Sequence, residues 1–192
     1  MLAMGLTAER GVPAGQPVVF ESPVGWLAVA VSPAGLCQVL LPSSAARARR
    51  GGPRAAPRAP DAGCARAGRA DAGCAVTQIM EYLNGERREF DLPLDLSRVS
   101  SEMRTVLGEL CASAPFGKVI TYGELARRSR CPGGAREVGQ IMARNPLPLV
   151  VPCHRVVAAA DLGGYGGGLA LKRRLLRLEG ALTEQLSLLG DV

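Results

Sequence analysis

The chain has 192 residues, of which 47% are hydrophobic, and its 23 Lys and Arg against 17 Asp and Glu give a net charge of +6. This length and composition predict a globular protein with one domain or two small ones. The absence of any run of about 18 apolar residues argues against a membrane span. The N-terminus lacks the basic and apolar segments of a secretory signal, so we expect a cytoplasmic protein whose thiols stay reduced.

The excess positive charge lies in one part of the chain. Residues 101–180 contain 12 Lys and Arg against 6 Asp and Glu, a net of +6, whereas the remaining residues contain 11 of each. A basic segment of this kind is compatible with nucleic acid as a partner. A solvated, arginine-rich surface explains the same charge equally well, so charge alone does not decide between the two.

The cysteine and histidine content limits the metal chemistry. The six cysteines form no C-x-x-C pair, and a zinc site of the Cys-His type is improbable with a single histidine, so we expect no metal site. An even number of cysteines does not exclude disulfides, although a reducing compartment argues against them. The cysteines are Cys37, Cys64, Cys74, Cys111, Cys131 and Cys153.

Short β-rich runs near the N-terminus are separated by SPVG and SPAG, a pattern typical of antiparallel strands joined by turns. The runs are Val18–Glu21, Trp26–Val31 and Leu36–Leu41. Residues 42–74 are instead dominated by Ala, Arg, Gly and Pro and contain DAGCA twice, at 61–65 and 71–75. This composition predicts a flexible insertion.

Apolar periodicity predicts five helices in the rest of the chain. They cover residues 75–86, Ser101 to about Ser113 with Ser100 or Ser101 as the cap, a short helix after Thr121 through Arg128, Ala135–Arg144, and roughly Leu169–Leu178.

Two of these helices form a candidate nucleic-acid-binding motif. Thr121 is placed to cap the third helix, with Glu124 completing a capping box. The third and fourth helices are joined by the tight turn SRCPGG, and the fourth carries Arg136 and Arg144. This arrangement is a helix-turn-helix candidate, although many helical hairpins bind nothing.

Cys153 precedes His154, the single histidine, in the proline-rich segment NPLPLVVPCHRVV. A thiolate is the nucleophilic form of cysteine, and a neighbouring base lowers the pKa of the thiol. Successive side chains on a strand point to opposite faces, so contact between the two requires a turn or a bridging water. Pro152 and Asn145 are placed to fix such a turn. The alternative is a buried core cysteine with an incidental histidine neighbour.

The motif PCHRVV, the upstream NPLP, the segment TYGELA and the tail GYGGGLALKRRLLRLEG together resemble the O6-alkylguanine-DNA alkyltransferase family. The resemblance spans about residues 76–180 and is weaker over 18–41. It implies an α/β (α+β) fold. The implied architecture is a small antiparallel-sheet domain, RNase H-like and of ferredoxin type, followed by a mostly α-helical domain with a winged-helix-like helix-turn-helix.

The resemblance and the composition together predict the domain limits. The first domain takes residues 1–41 and 75–97, the insertion 42–74, the alkyltransferase and DNA-binding domain 98–182, and a tail 183–192.

The resemblance also implies a reaction, the single-turnover transfer of an alkyl group from O6-alkylguanine in DNA to Cys153 after base flipping, with O4-alkylthymine as a second candidate substrate. His154 would take the thiol proton through a water, and Glu179 would orient His154. Asn145 would brace the turn, and Tyr122 would donate a proton or hydrogen bond to the guanine ring. The reaction requires no cofactor.

The expected partner is double-stranded DNA, bound in the minor groove largely without regard to sequence by a protein that is monomeric in solution. Arg136 would fill the gap that the flipped base leaves. The other residues expected at the DNA or the base are Gly123, Ala135, Val156, Ala159, Tyr165 and Gly166. The pocket loop 158–164 is one residue shorter than is usual in the family, and Gly166 stands where a serine or alanine is common.

Three other classes of protein are alternatives to an alkyltransferase. Damage-binding relatives without transfer activity carry a different residue at the position of Cys153. A cysteine hydrolase usually has its histidine far from the cysteine in sequence. A redox-active thiol protein usually has a resolving cysteine in a C-x-x-C pair, which this chain lacks. The intact PCHR motif therefore favours alkyl transfer.

Overall fold

The computed structural model of the protein describes residues 17–42 and 71–182. Most of the predicted insertion, residues 43–70, and the predicted tail, residues 183–192, lie outside these ranges, so both remain predictions. Within the described ranges no helix is long and apolar enough to cross a membrane.

The N-terminal part is a three-stranded antiparallel sheet in the order β1-β2-β3. The strands are β1 Val18–Ser22, β2 Gly25–Ser32 and β3 Gly35–Leu40. Each lies within one residue of the predicted run, because the SPVG and SPAG turns separate short runs of residues that favour strands. The predicted antiparallel N-terminal sheet is therefore confirmed.

Five α-helices and a small parallel β pair make up the rest of the described chain. The helices are α1 Ala72–Leu83, α2 Ser101–Ser113, α3 Tyr122–Ser129, α4 Gly134–Ala143 and α5 Leu169–Leu178. The parallel pair joins β4, Ile120–Thr121, to β5, Val156–Val157. The mixed fold agrees with the predicted class, and α3 and α4 form the expected helical hairpin.

Local capping explains where the helices begin. The side chain of Asp71 accepts a hydrogen bond from Gly73 N at 3.0 Å, so α1 begins three residues before the predicted start and the second DAGCA copy is helical. Ser100 caps α2, and Thr121 Oγ1 caps α3 by accepting from Glu124 N at 3.1 Å. The expected capping box is only half formed, because the Glu124 carboxylate pairs with two arginines of its own helix, Arg127 and Arg128.

One buried apolar cluster joins the sheet, the helices and the segment before Cys153. Tyr82 and Ile79 of α1 are fully buried against it. The backbone of β3 also bonds directly to the segment after α4, through Val39 N and Pro146 O at 2.8 Å. The N-terminal sheet and the Cys153 region therefore pack as neighbours.

The thiols agree only in part with the expected reducing compartment. Cys37, Cys111, Cys131 and Cys153 are free. Cys74, in the first turn of α1, is disulfide-bonded. The expectation that every thiol stays reduced is therefore wrong for this residue.

The turn between β2 and β3 generates a stability prediction. A Cβ on Gly35, whose φ is +153°, would lie 2.3 Å from the carbonyl oxygen of Pro93, and that carbonyl accepts from Leu36 N. We expect Gly35→Ala to lower the free energy of unfolding by about 3 kcal/mol, because the clash is with backbone and the conformation is strained. Urea denaturation measures the change.

The matched control is Gly108→Ala, in the exposed face of α2, where a Cβ would meet nothing within 4 Å. This substitution should raise the free energy of unfolding by about 0.8 kcal/mol through helix propensity alone. Equal effects of the two substitutions would contradict the proposed contact between Gly35 and Pro93.

Candidate active site

A looped segment between α4 and β5 carries Cys153, and the side chain of Asn145 holds the loop closed. Asn145 Nδ2 donates to the carbonyl of Val151 at 2.9 Å, and Asn145 Oδ1 accepts from Leu147 N at 3.0 Å. Leu149, at the centre of the loop, is buried with a φ of +77°, a conformation that a non-glycine residue adopts only when its surroundings impose it. Asn145 therefore lies where a brace was expected.

Cys153 and His154 lie in a short 3-10 turn, Cys153–Arg155. The turn is closed by a hydrogen bond from Arg155 N to Pro152 O at 2.9 Å. The predicted departure from an extended strand is confirmed. Cys153 is 5% exposed and His154 is fully buried.

Glu179 is the centre of the hydrogen-bond network around His154. Its Oε1 lies 2.8 Å from His154 Nε2 and accepts from Tyr82 Oη at 2.6 Å. Arg155 donates to both carboxylate oxygens, from Nε at 2.8 Å and from Nη2 at 2.9 Å. Arg155 also donates to the carbonyl of Ala114 at 2.8 Å. Every member of this network is buried.

The network determines the charges of its members. Burial alone would raise the pKa of Glu179, but hydrogen bonds from His154 and Arg155 outweigh it and lower the pKa to about 2. Burial lowers the pKa of His154, and Glu179 only partly opposes that shift. The stable arrangement at neutral pH is therefore an ionised Glu179 paired with Arg155 beside a neutral imidazole.

The two imidazole nitrogens have different surroundings. His154 Nε2 faces the Glu179 carboxylate, which only accepts, so Nε2 carries the proton and Nδ1 keeps its lone pair. Nδ1 is buried and has no hydrogen-bond partner among the described residues. A direct Cys153–His154 hydrogen bond is therefore not part of the structure. The nitrogen left to accept a proton is Nδ1.

The Cys153 thiol is protonated in this environment. Burial raises its pKa to about 11, although a hydrogen bond from Asn145 and the charge of Lys172 oppose the shift. Lys172 is itself fully buried and donates to three carbonyl groups of β5 and the loop that follows it, at Val156, Leu162 and Gly164. Burial lowers the pKa of Lys172 to about 8.

Two tyrosines, Tyr122 and Tyr165, lie in this part of the structure, and burial is the main cause that raises the pKa of each. Tyr122 Oη donates to Gly164 O at 3.4 Å, and a Cβ on Gly163 would lie 2.8 Å from the Tyr122 ring. The Tyr165 ring meets the His154 ring edge to face at 6.3 Å between centroids, and its hydroxyl is buried with no partner among the described residues. A pocket for the base at these two tyrosines remains a prediction from the family resemblance.

The remaining predicted residues lie either in β5 and the loop after it or in the helical hairpin. Val156 is buried in β5, whereas Ala159 and Gly166 are exposed at the loop. Gly123 is exposed at the start of α3, and Ala135 and Arg136 are exposed at the start of α4. The exposed face of the hairpin thus carries the predicted DNA contacts next to Tyr122. The Tyr122 ring approaches α4 at Gly139, where a Cβ on the glycine would lie 4.0 Å from the ring.

Three buried residues belong to the site although the sequence analysis gave them no role. Arg155 had a signal, since it follows the Cys-His pair in the PCHR motif. Lys172 had a weaker one, because it lies on the apolar face of α5 with Leu171, Leu175 and Leu176. Tyr82 had none, because a tyrosine on the apolar face of α1 is indistinguishable from a core residue.

A buried cysteine and a neutral imidazole lie in a loop that adjoins a basic helical hairpin, an arrangement consistent with a cysteine nucleophile in a nucleic-acid-binding protein. Two family profiles identify the class further. The profile of the 6-O-methylguanine DNA methyltransferase ribonuclease-like domain matches residues 18–96, and that of the DNA-binding domain matches residues 103–181.

Individual relatives agree with the profiles. The chain is 46% identical over 112 residues to a methylated-DNA–protein-cysteine methyltransferase of Mycolicibacterium paratuberculosis, a match that spans 58% of this chain and 66%, just under two thirds, of that protein. It is 48% identical over 108 residues to the methyltransferase of the same name from Methanopyrus kandleri, across 56% of this chain and 79% of that protein.

A solved structure matches the whole fold. Mycobacterium tuberculosis OGT in complex with DNA superposes with a TM-score of 0.65 and 32% identity, across 91% of this chain and 99% of that chain. The protein therefore belongs to the 6-O-methylguanine DNA methyltransferase family.

The Glu179 network generates a pH prediction. The pKa of Glu179 falls from 4.5 to about 2 on folding. The lowered pKa of Glu179 therefore contributes on the order of 3 kcal/mol to the free energy of unfolding above pH 4.5. This contribution is lost as the pH falls towards 2. Glu179→Gln should lower the free energy of unfolding by about 3 kcal/mol at neutral pH, because Arg155 becomes a buried charge without its partner.

The measurement is urea denaturation of both proteins from neutral pH down to about pH 3. The difference between them should narrow below pH 4.5. Glu102→Gln removes an exposed carboxylate in the first turn of α2 and is the control, with little expected change. A difference that stays constant with pH would contradict the assignment of the low pKa to Glu179.

Proposed function

We propose that this protein repairs DNA by moving the alkyl group of O6-alkylguanine to Cys153, once per molecule. The observation that carries the proposal is the buried Cys153 thiol beside a neutral His154 whose Nδ1 keeps a free lone pair. The methylated-DNA–protein-cysteine methyltransferases among its relatives support the reaction class. O4-alkylthymine is a second candidate substrate.

The proposed reaction needs only the Cys153 thiol, His154, a water and the alkylated base. A water relays the Cys153 proton to His154 Nδ1, and the Glu179–Arg155 pair stabilises the imidazolium that forms. The sulfur forms a bond to the alkyl carbon while the carbon–O6 bond breaks. The electron pair passes to the guanine ring, which Tyr122 stabilises by donating a hydrogen bond. The proton on His154 later returns to the base through solvent.

The proposed reaction requires the damaged base to leave the duplex, because its O6 substituent is stacked inside DNA. We propose that the exposed face of α3 and α4 binds double-stranded DNA in the minor groove, largely without regard to sequence. Small residues at the helix starts, Gly123 and Ala135, permit a close approach, and Arg136 is the side chain that fills the vacated stack. The M. tuberculosis relative that was solved with DNA supports DNA as the partner.

The proposed reaction inactivates the protein permanently. A thioether has no proton to lose and cannot be displaced by the residues around it, so each monomer acts once. The added alkyl group also enters a packed site, in which Val151 and His154 are buried. Overpacking of this kind costs about 1–3 kcal/mol, so the alkylated protein should be less stable than the free protein. The proposed place of action is the cytoplasm, on DNA.

The test uses a duplex oligonucleotide with one O6-methylguanine, followed by peptide mass analysis. The expected result is one methyl group on Cys153 and restored guanine, at one equivalent per protein. Cys153→Ser should abolish transfer, and Cys111→Ser, which alters an exposed free thiol, should leave it unchanged. Tight binding without transfer would indicate a damage-binding protein, and turnover beyond one equivalent or methylation of another cysteine would contradict the mechanism.

Arg136 gives a second prediction. Arg136→Ala should slow repair in duplex DNA by about tenfold, because unstacking costs a few kcal/mol and the arginine offsets part of it. Reaction with free O6-benzylguanine, which needs no flipping, should change little. Both rates are measured as methyl or benzyl incorporation against time.

Arg144→Ala is the matched control, since Arg144 is exposed at the other end of α4 and its guanidinium contacts Gln140. It should weaken DNA binding in a salt-dependent way, but with saturating duplex it should leave the rates on both substrates unchanged, whereas Arg136→Ala should stay slow on saturating duplex. Equal losses on duplex and free base in Arg136→Ala would argue against insertion into the stack.

A further inference from the structure

The hydroxyl of Tyr82 reaches the candidate active site from the other half of the protein. Tyr82 lies in α1, within the ribonuclease-like region 18–96, whereas the Cys-His pair and Glu179 lie within the DNA-binding region 103–181. Its Oη donates to Glu179 Oε1 at 2.6 Å and lies 3.2 Å from His154 Nε2. A buried hydroxyl thus joins two residues of the proposed proton relay.

The proton count assigns the direction of each bond. Tyr82 has one hydroxyl proton, and the short contact to the carboxylate takes it. Its oxygen lone pairs are then left facing His154 Nε2, which carries the imidazole proton because it also faces Glu179. Both oxygen atoms that face His154 Nε2, from Tyr82 and Glu179, therefore accept hydrogen bonds. In the alternative tautomer, with the proton on Nδ1, the Nε2 lone pair would face these two acceptors and no hydrogen bond could form.

We propose that Tyr82 is a positioning residue for the alkyl transfer: its hydroxyl holds the Glu179 carboxylate and the Nε2 edge of His154 so that Nδ1 is the nitrogen that accepts the Cys153 proton. The inference rests on the proposed function. It gives the N-terminal domain a part in the chemistry beyond packing.

The ring and the hydroxyl of Tyr82 have separable roles. The ring packs on Phe90 at 5.3 Å and meets Phe116 edge to face at 6.4 Å, and these contacts need no oxygen. Burial and the neighbouring Glu179 raise the pKa of Tyr82, so the hydroxyl stays protonated. Tyr82→Phe consequently removes one hydrogen-bond donor and leaves the packing in place.

The imidazole is surrounded by charged and titratable groups from several elements. They are Tyr82 of α1, Glu179 at the end of α5, Lys172 of α5, Arg155 and Cys153 of its own turn, and Tyr165 of the pocket loop. Removing the Tyr82 hydroxyl changes only one of them. With one donor fewer, the carboxylate holds an imidazolium more strongly, so the pKa of His154 should rise.

The first test is a nuclear magnetic resonance titration of the imidazole nitrogens. Because the chain has one histidine, the signals need no assignment. The parent protein should show the Nε2–H tautomer. In Tyr82→Phe the midpoint should move upward by roughly one pH unit, the scale of one lost hydrogen bond to a charged group. An Nδ1–H tautomer in the parent, or a His154 signal that behaves identically in both proteins, overturns the inference.

The second test is the pH dependence of benzyl transfer from O6-benzylguanine. The acid limb of the profile should move upward in Tyr82→Phe by the same interval as the midpoint. Phe90→Leu is the control, because it loosens the ring contact and leaves the hydroxyl. It should lower the melting temperature without moving the His154 midpoint or the acid limb. A parallel profile in Tyr82→Phe, shifted in rate alone, makes Tyr82 merely structural and overturns the inference.

These outcomes separate the inference from the proposed function. If the parent protein transfers no alkyl group to Cys153, the proposed function fails, whatever Tyr82 does. If the parent transfers the group and the two histidine titrations coincide, the function stands and the role of Tyr82 is wrong.

Discussion

The carboxylate of Glu179 is the interaction on which the rest of the site depends. It is buried at the end of α5 and accepts hydrogen bonds from Tyr82, His154 and Arg155. A buried carboxylate is costly unless it is paired, and the two-pronged contact with Arg155 meets that requirement. Burial keeps His154 neutral, and Arg155 adds to this effect because it balances the negative charge of Glu179. Only a neutral imidazole can accept a proton.

The same burial keeps Cys153 in its thiol form. With a pKa of about 11, the resting sulfur is neutral, so it resists the oxidation that a standing thiolate would invite. The thiol and the proposed base are thus both uncharged in the resting protein, as the proposed single-use reaction requires. The charge of Lys172 and the hydrogen bond from Asn145 favour the thiolate once the proton has left. In the proposed mechanism the thiolate therefore forms only when a substrate is bound.

The sequence predicts the local structure well and the network poorly. Helix α5 and the strands follow from short-range periodicity and turns, whereas α1 begins early because Asp71 caps it within an Ala- and Gly-rich stretch. The turn at Cys153 was expected from the alternation of strand side chains. Glu179 was expected from the family resemblance alone, and Tyr82, 97 residues from it, had no signal, because no local pattern reports contacts between distant segments.

The proposed reaction depends on a resting protein in which Cys153 is a thiol and His154 is a neutral base. The most direct measurement is the ultraviolet absorbance of the thiolate against pH, as the difference between the parent protein and Cys153→Ser. We expect no rise in absorbance from Cys153 below about pH 9, since its pKa is about 11. A rise in absorbance with its midpoint near or below about pH 7 would show a preformed thiolate and contradict the neutral resting state of Cys153.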